Sequence, residues 1–313
     1  MTTDLKDELF RKIKVLNEQV WELRGTAPQV VRWLGNFTGQ FADVETEQLQ
    51  ALFLLSHFMY FGAKETRELL RCIYRDSYKY PIITSIRKAA GDTSDVAYIQ
   101  GRFDSELQQT RFLGVGNPAE SGTHLLYYFR QENSIHKSLF INPHEIFSYQ
   151  TSGLTLRDLN ISRYVFIDDL AGSGNQARQY STNIVKAIKA LKPDAQVAYY
   201  VMFATSEALA AIRNNTAFDD VSAVFDLDPS FRCFDSASRY FPLNAPFDRK
   251  RVAEFAELYG KLLWDEHPLG YKSGQLLLGF HHNTPDNTLP IFWFDSTTPP
   301  WEAIFRRYPK IEW

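Results

Sequence analysis

Hydrophobic positions along the chain change their period near residue 95. From Leu5 through Leu9, Ile13, Leu16, Val20 and Leu23, apolar residues recur at three- and four-residue spacing and so share one face of a helix. Glu45 to Phe61 and Ala63 to Arg75 read as two more helices separated by Gly62. The polar pair Asp76-Ser77 closes the second, and Pro81 opens a short helix over 82–89. Residues 4–95 thus read as helical, and 1–95 is expected to be a cap or an interaction region. Downstream, short runs rich in β-branched and aromatic residues alternate with helical patterns. Strands are expected at 110–116, 138–141, 164–167, 195–203, 221–227 and 275–280. Helices are expected at 123–131, 175–191, 206–213 and 247–264. A loop at 117–122 and an irregular stretch at 143–159 complete the pattern. This alternation predicts an α/β domain over 96–313, built on a mostly parallel, doubly wound sheet.

Composition narrows the class without naming a function. The 313 residues are 44% hydrophobic and 23% charged, enough for a sizeable core, and aromatics reach 15%. A net charge of −3 gives no global attraction for nucleic acid or an anionic membrane. The two cysteines, Cys72 and Cys233, make neither a disulfide framework nor a cysteine metal cluster and fit a reducing compartment. The polar start of the chain is no signal peptide. No apolar run approaches the roughly 18–20 residues needed to span a bilayer, so the expected compartment is the cytoplasm.

The segment richest in chemistry is Arg163-Tyr-Val-Phe-Ile-Asp168-Asp169-Leu-Ala-Gly172-Ser173-Gly174-Asn175-Gln176. An apolar strand leads into two carboxylates, a small-residue turn and a helix. Buried carboxylates are costly unless they face a cleft, a cation or hydroxyl donors. In open α/β sheets, ligands bind at the carboxyl ends of strands. The turn lets backbone N–H groups and the helix start approach a phosphate. Asp168 and Asp169 can accept hydrogen bonds from a diol or lie near a Mg²⁺ bridged by phosphate oxygens.

Three other segments carry weaker signals. Gly116-Asn117-Pro-Ala-Glu120-Ser121-Gly122 is a loop between a strand and a helix, and its amides suit a diphosphate as well as they suit an ordinary capped turn. His282, Asn283, Asp286 and Asn287 lie in a polar loop between apolar anchors, which suits recognition of a base edge or a capped turn. Adjacent His281 and His282 lack a third ligand for zinc, and no protein-built metal site is expected. Asp226-Leu-Asp228 imitates a phosphatase nucleophile motif, but Pro229 and Ser230 replace its following residues. Arg232 and Arg239 then serve either phosphate or surface salt bridges. Neither a P-loop nor a dinucleotide-binding glycine motif is present.

Over roughly residues 105–230 the order of elements and the segment 164–176 resemble type I phosphoribosyltransferases. The combination with His282–Trp293 resembles a divergent branch found among effectors of bacterial conflict systems, including antiphage and retron-type loci. The resemblance implies that Asp168 and Asp169 contact the ribose hydroxyls, and that Gly172, Ser173, Gly174, Asn175 and Gln176 hold the 5′-phosphate. It also implies that Gly116, Asn117, Glu120, Ser121 and Gly122 take the diphosphate. Mg²⁺ would be bound mainly through the substrate, phosphoribosyl diphosphate or a related nucleotide. Gly172 stands where many purine-salvage members carry an assisting acid, so the motif offers no general base. The implied protein is a pentosyltransferase or nucleotide-cleaving enzyme acting in defence. The alternative is a non-catalytic nucleotide-binding regulatory module or a toxin-complex component, with the N-terminal helices binding a protein partner.

Overall fold

The computed structural model describes residues 2–116, 121–151 and 153–307. The chain divides into two compact units, residues 1–66 with 228–313, and residues 67–227. The first unit begins with helices Thr2–Gln19 (α1), Ala27–Leu34 (α2) and Val44–Leu55 (α3), then strand Met59–Phe61 (β1). Asp43 caps α3 by accepting the Thr46 N–H at 2.9 Å. The helix expected over 45–61 therefore stops early. Its last residues instead pair with a distant strand, a long-range contact that local periodicity cannot register.

Helix Ala63–Cys72 (α4) continues through a π-helical turn at Ile73–Lys79 into Tyr80–Ala89 (α5). Asp76-Ser77 does not end it, because the segment is anchored from outside. Tyr78 Oη shares a 2.8 Å hydrogen bond with Thr110 Oγ1, and Ser77 Oγ accepts one from Ser222 at 2.8 Å. A helix the periodicity left out, Val96–Gln108 (α6), starts at the Asp95 cap.

The sheet consists of Thr110–Gly114 (β2), Arg163–Ala171 (β5), Gln196–Thr205 (β6) and Asp220–Leu227 (β7). Between β2 and β5 lie helix Ser121–Glu132 (α7) and the antiparallel pair Phe147–Gln150 (β3) and Gly153–Leu156 (β4). The pair falls in the stretch expected to be irregular. The strand expected at 138–141 is instead a 3₁₀ turn, Lys137–Leu139, with one bridge from Phe140 to Phe112. The sheet order is β2-β5-β6-β7 and every pairing is parallel, with Ile167 beside Gly114 and Asp168 beside Val201.

Both faces of the sheet are covered, which explains why Tyr164–Ile167 is an unbroken apolar run. Successive strand residues point to opposite faces. Phe112 packs against Tyr78 and Phe129 at centroid distances of 5.2 and 5.3 Å. Its neighbour Leu113 belongs to the core formed by Phe166, Tyr199, Ala177, Ile188 and Ile212. These last come from Asn175–Tyr180 (α8), a π turn at Ser181–Val185, Lys186–Leu191 (α9) and Ser206–Asn215 (α10). Each fully buried Phe or Ile contributes on the order of 1.5–3 kcal/mol.

The remaining segment completes the first unit with helix Arg249–Leu263 (α11), strand Leu278–Phe280 (β8) and the short helix Pro290–Trp293 (α12). β8 runs parallel to β1. Trp33, Phe37, Phe255, Tyr259, Phe292 and Trp301 form one aromatic core drawn from both segments. The expected division at residue 95 does not coincide with the observed units. Tyr78 and Phe103 cover the sheet and so belong with it, whereas 228–313 supplies core to the first helices. Among the described residues, no helix is long and apolar enough to cross a membrane.

Candidate functional site

β5 is longer than the apolar run suggests and carries the acidic pair within it, three residues before the strand ends. The two carboxyls stay close together, because the Asp169 charge and a side-chain hydrogen bond between them both act on Asp168. Asp168 is 4% exposed and lies on the face of Phe166 and Tyr199. Its Oδ2 accepts the Tyr199 hydroxyl at 2.8 Å and its Oδ1 accepts the Asp169 N–H at 2.9 Å. Burial pushes this carboxyl well above the usual range and the neighbouring charge of Asp169 adds to the rise, while the Tyr199 and backbone hydrogen bonds pull the other way. The Tyr199 phenol is raised as well, first by burial and then by Asp168. Asp169 is half-buried, and its Oδ1 accepts the Leu170 N–H at 2.8 Å.

The loop that follows is held from several sides. The Gly172 carbonyl accepts the Thr205 hydroxyl at 2.8 Å. Thr205 also caps α10, accepting the Ala208 N–H at 3.1 Å, so one side chain joins the loop to the next helix. Ser173 Oγ accepts the Asn175 N–H at 3.4 Å. Gly174 sits at φ +69, a left-handed conformation, and a Cβ there would lie 3.0 Å from Ile212 Cγ1. Glycine is required at this position on both counts. Asn175 then opens α8, its side-chain oxygen accepting a hydrogen bond from Arg178, while Gln176 is exposed.

The upstream loop begins at Gly116, with φ +102. Val115 extends the sheet ladder by donating its N–H to Ile167 O at 3.2 Å. Gly116 N–H donates to Tyr180 Oη at 2.9 Å, and that hydroxyl donates to Gly116 O at 2.7 Å. Ser121 and Gly122 begin α7, whereas Asn117 and Glu120 lie outside the described residues. The strands are parallel, so these turns and Thr205 gather at the carboxyl end of one sheet. Asp226 of β7, in register with Ala204, is exposed at the same end.

His282, Asn283, Asp286 and Asn287 belong to the other compact unit. Asp286 Oδ2 pairs with Arg307 at 3.1 Å, and the same guanidinium donates to Thr284 O at 2.7 Å. Asn287 donates to Tyr271 O at 3.2 Å, and its own carbonyl accepts from Leu276. Asn283 Oδ1 accepts the Thr284 N–H at 3.0 Å, and His282 stacks on Phe280 with planes 5° apart. These bonds are what a loop uses to hold its own shape. Arg239 pairs with Asp228 at 3.7 Å and lies over the Phe231 ring, the surface arrangement of the two readings weighed for it.

Reading the motif alone passes over three side chains: Tyr199, Thr205 and Tyr180. Tyr199 was detectable in principle, because a phenol in a strand buried on both faces needs a buried partner for its hydroxyl. Thr205 and Tyr180 act through distant backbone groups, which nothing local announces.

The chain belongs to the PRTase-CE family, a divergent phosphoribosyltransferase-like family whose model matches residues 30–307. Among solved structures it is similar to a Helicobacter pylori xanthine-guanine-hypoxanthine phosphoribosyltransferase. Identity is 8% and the TM-score 0.28, over 53% of this chain and 85% of that one. No curated protein matches.

Proposed function

We propose that residues 67–227 bind phosphoribosyl diphosphate, or a nucleotide sharing its phosphoribosyl group, and promote substitution or cleavage at the anomeric carbon. The observation that carries this reading is the turn Gly172–Asn175 at the carboxyl end of β5. It places a left-handed Gly174 at a helix start and follows two carboxylates. The 5′-phosphate is assigned to this turn, the ribose diol to the half-buried Asp169, and the diphosphate to the loop that opens at Gly116. In the step itself the C1–O bond to diphosphate breaks and diphosphate leaves with the bonding pair. A nitrogen of a base, or water, bonds to C1 and gives up a proton. Asp168 and Asp169 favour the positive charge that builds on the ribose ring.

The donor set fits a magnesium ion held chiefly by substrate. Among the described residues, no group of three or more His, Cys, Asp or Glu side chains could cage a metal. Three carboxylates at this end of the sheet would repel a bare diphosphate. Magnesium bound with the diphosphate supplies the neutralising charge.

A second reading, a nucleotide-binding module without turnover, is favoured by one feature. Ala171–Asn175 contains no acid or base, and both Asp168 oxygens already accept hydrogen bonds. The test incubates the protein with phosphoribosyl diphosphate, Mg²⁺ and a nucleotide pool, with products followed by mass spectrometry. Turnover that is lost in Asp168→Asn/Asp169→Asn supports the enzyme. Binding without turnover supports the module, and turnover that survives the double change overturns the site. The further proposal is that the protein works in the cytoplasm in antiphage defence, with its N-terminal helices engaging a partner. It requires that the wild-type gene protect cells from phage and that the double variant not do so.

A further inference from the structure

Two turns at the carboxyl end of the sheet are tied by a single hydroxyl. Tyr180 lies one turn beyond the 172–176 loop, on the helix that Gly174 begins. Its ring meets Phe166 of β5 edge to face at 6.0 Å. Its Oη accepts from Gly116 N at 2.9 Å and donates to Gly116 O at 2.7 Å. One side chain thus satisfies both backbone groups of the glycine at which the upstream loop leaves the sheet. That glycine is held at φ +102, where few other residues would settle. Immediately after Tyr180 the helix passes into the π turn Ser181–Val185. Such turns often mark sites where a helix face has been re-aimed. Ser181 fixes this one by accepting the Ala217 N–H at 2.7 Å.

We propose that Tyr180 is a positioning residue that couples the two loops, so that a phosphate held at 172–176 sets the Gly116 turn for its own ligand. The inference rests on the phosphoribosyl reading for what fills the two loops, but the mechanical link can be tested without that ligand. A helix that shifts with the phosphate loop carries the hydroxyl with it. The Gly116 amide and carbonyl follow, because the one hydroxyl bonds both. The coupled loops would then prefer a ligand that spans them, a phosphate and a diphosphate on one sugar, over either group alone.

Hydrogen exchange on the full chain tests this in two arms, with the 196–205 peptide as a gauge of intact folding. The ligand-free arm compares Tyr180→Phe, Gly174→Ala and the double variant. Each single change is expected to speed exchange in the 110–116 peptide several-fold, and the double variant should exceed Tyr180→Phe by little. Increases that multiply, or no increase in Tyr180→Phe, overturn the coupling. Ser173→Ala serves as the loop perturbation if Gly174→Ala does not fold. The second arm adds ribose 5-phosphate. Wild type should gain protection at both 170–180 and 110–116, and Tyr180→Phe at 170–180 only. By titration calorimetry, Tyr180→Phe should weaken phosphoribosyl diphosphate about tenfold, about 1.4 kcal/mol, and ribose 5-phosphate by much less. Equal weakening of both ligands would count against the coupling. If ribose 5-phosphate protects nothing in wild type, the phosphoribosyl reading fails while the ligand-free arm still decides the role of Tyr180.

Discussion

Tyr199→Phe removes one hydroxyl from the floor of the site and leaves the ring in place. The lost donor lies 2.8 Å from Asp168 Oδ2, and Asp168 is too buried for water to replace it. The Asp169 N–H, at 2.9 Å from Oδ1, remains as a donor to the carboxyl. A hydrogen bond between neutral groups is worth about 1 kcal/mol and one to a charged group about 1.5–3 kcal/mol. The cost therefore depends on the protonation of Asp168. Its folded pKa lies above the unfolded value of about 3.9, so the folded protein keeps a proton that the unfolded chain has lost. This stabilising contribution is complete below the unfolded pKa and is lost as pH rises through the folded one. Tyr199 is among the groups holding that folded pKa down, so the variant's pKa climbs further and its loss extends to higher pH. The deficit should grow from about 1 kcal/mol where Asp168 is protonated toward about 2–3 kcal/mol as rising pH ionises it. Hydrogen exchange of β5 and β6 amides reads the opening free energy of this unit directly. Among the described residues, the tryptophans at positions 21, 33, 264, 293 and 301 all belong to the other unit and so provide a separate fluorescence control. A deficit under about 0.5 kcal/mol throughout, or one that shrinks as pH rises, would refute the reasoning.

Three further perturbations have defined outcomes. Gly174→Ala forces a left-handed alanine against Ile212 and should cost about 1–3 kcal/mol in the same exchange experiment, whereas no loss would mean the turn relaxes without strain. Thr205→Val removes both the donor to Gly172 O and the α10 cap, for an expected cost of about 1–2 kcal/mol, with faster exchange at 206–209 than at 196–204. In the other unit, Glu47 is inaccessible to solvent and accepts N–H groups from Gly39, Phe41 and Ala42 and the Tyr259 hydroxyl. Burial raises its pKa, but these four donors outweigh it and the net shift is downward. Its contribution is thus present above the unfolded pKa of about 4.3 and is lost as pH falls through the folded value. Glu47→Gln should lower tryptophan-detected stability by about 2–3 kcal/mol at pH 7 and by less at pH 4.

Much of the sheet was legible because a strand covered on both faces must be apolar at every position. β5 and β6 have almost no solvent side, so their runs stand out against the amphipathic helices between them. Legibility failed where distant partners decided the local form. Met59–Phe61 continues a helical pattern yet becomes a strand because Leu278–Phe280 is there to pair with it. Asp76-Ser77 looks like a helix end, yet the chain passes through it as a π turn anchored by Thr110 and Ser222. Val96–Gln108 has too even a mixture of apolar and polar residues to show a period, and packing of Phe103 on Tyr78 helps hold it.

By itself, the sequence determined the alternation of strands and helices over 164–227, the Asp-Asp pair, the glycine turn after it and the start of the following helix. These follow from local rules, namely steric freedom at glycine, capping, and the burial of apolar runs. Tertiary structure decided how the motif's groups divide their roles. The register of β5 with β6 brought Tyr199 to Asp168, whose burial sets it apart from the half-buried Asp169 beside it. The parallel pairing of β2 with β5 set Gly116 within reach of Tyr180. Each of these depends on strands and helices far apart in the chain, whose contacts exist only once the sheet has closed.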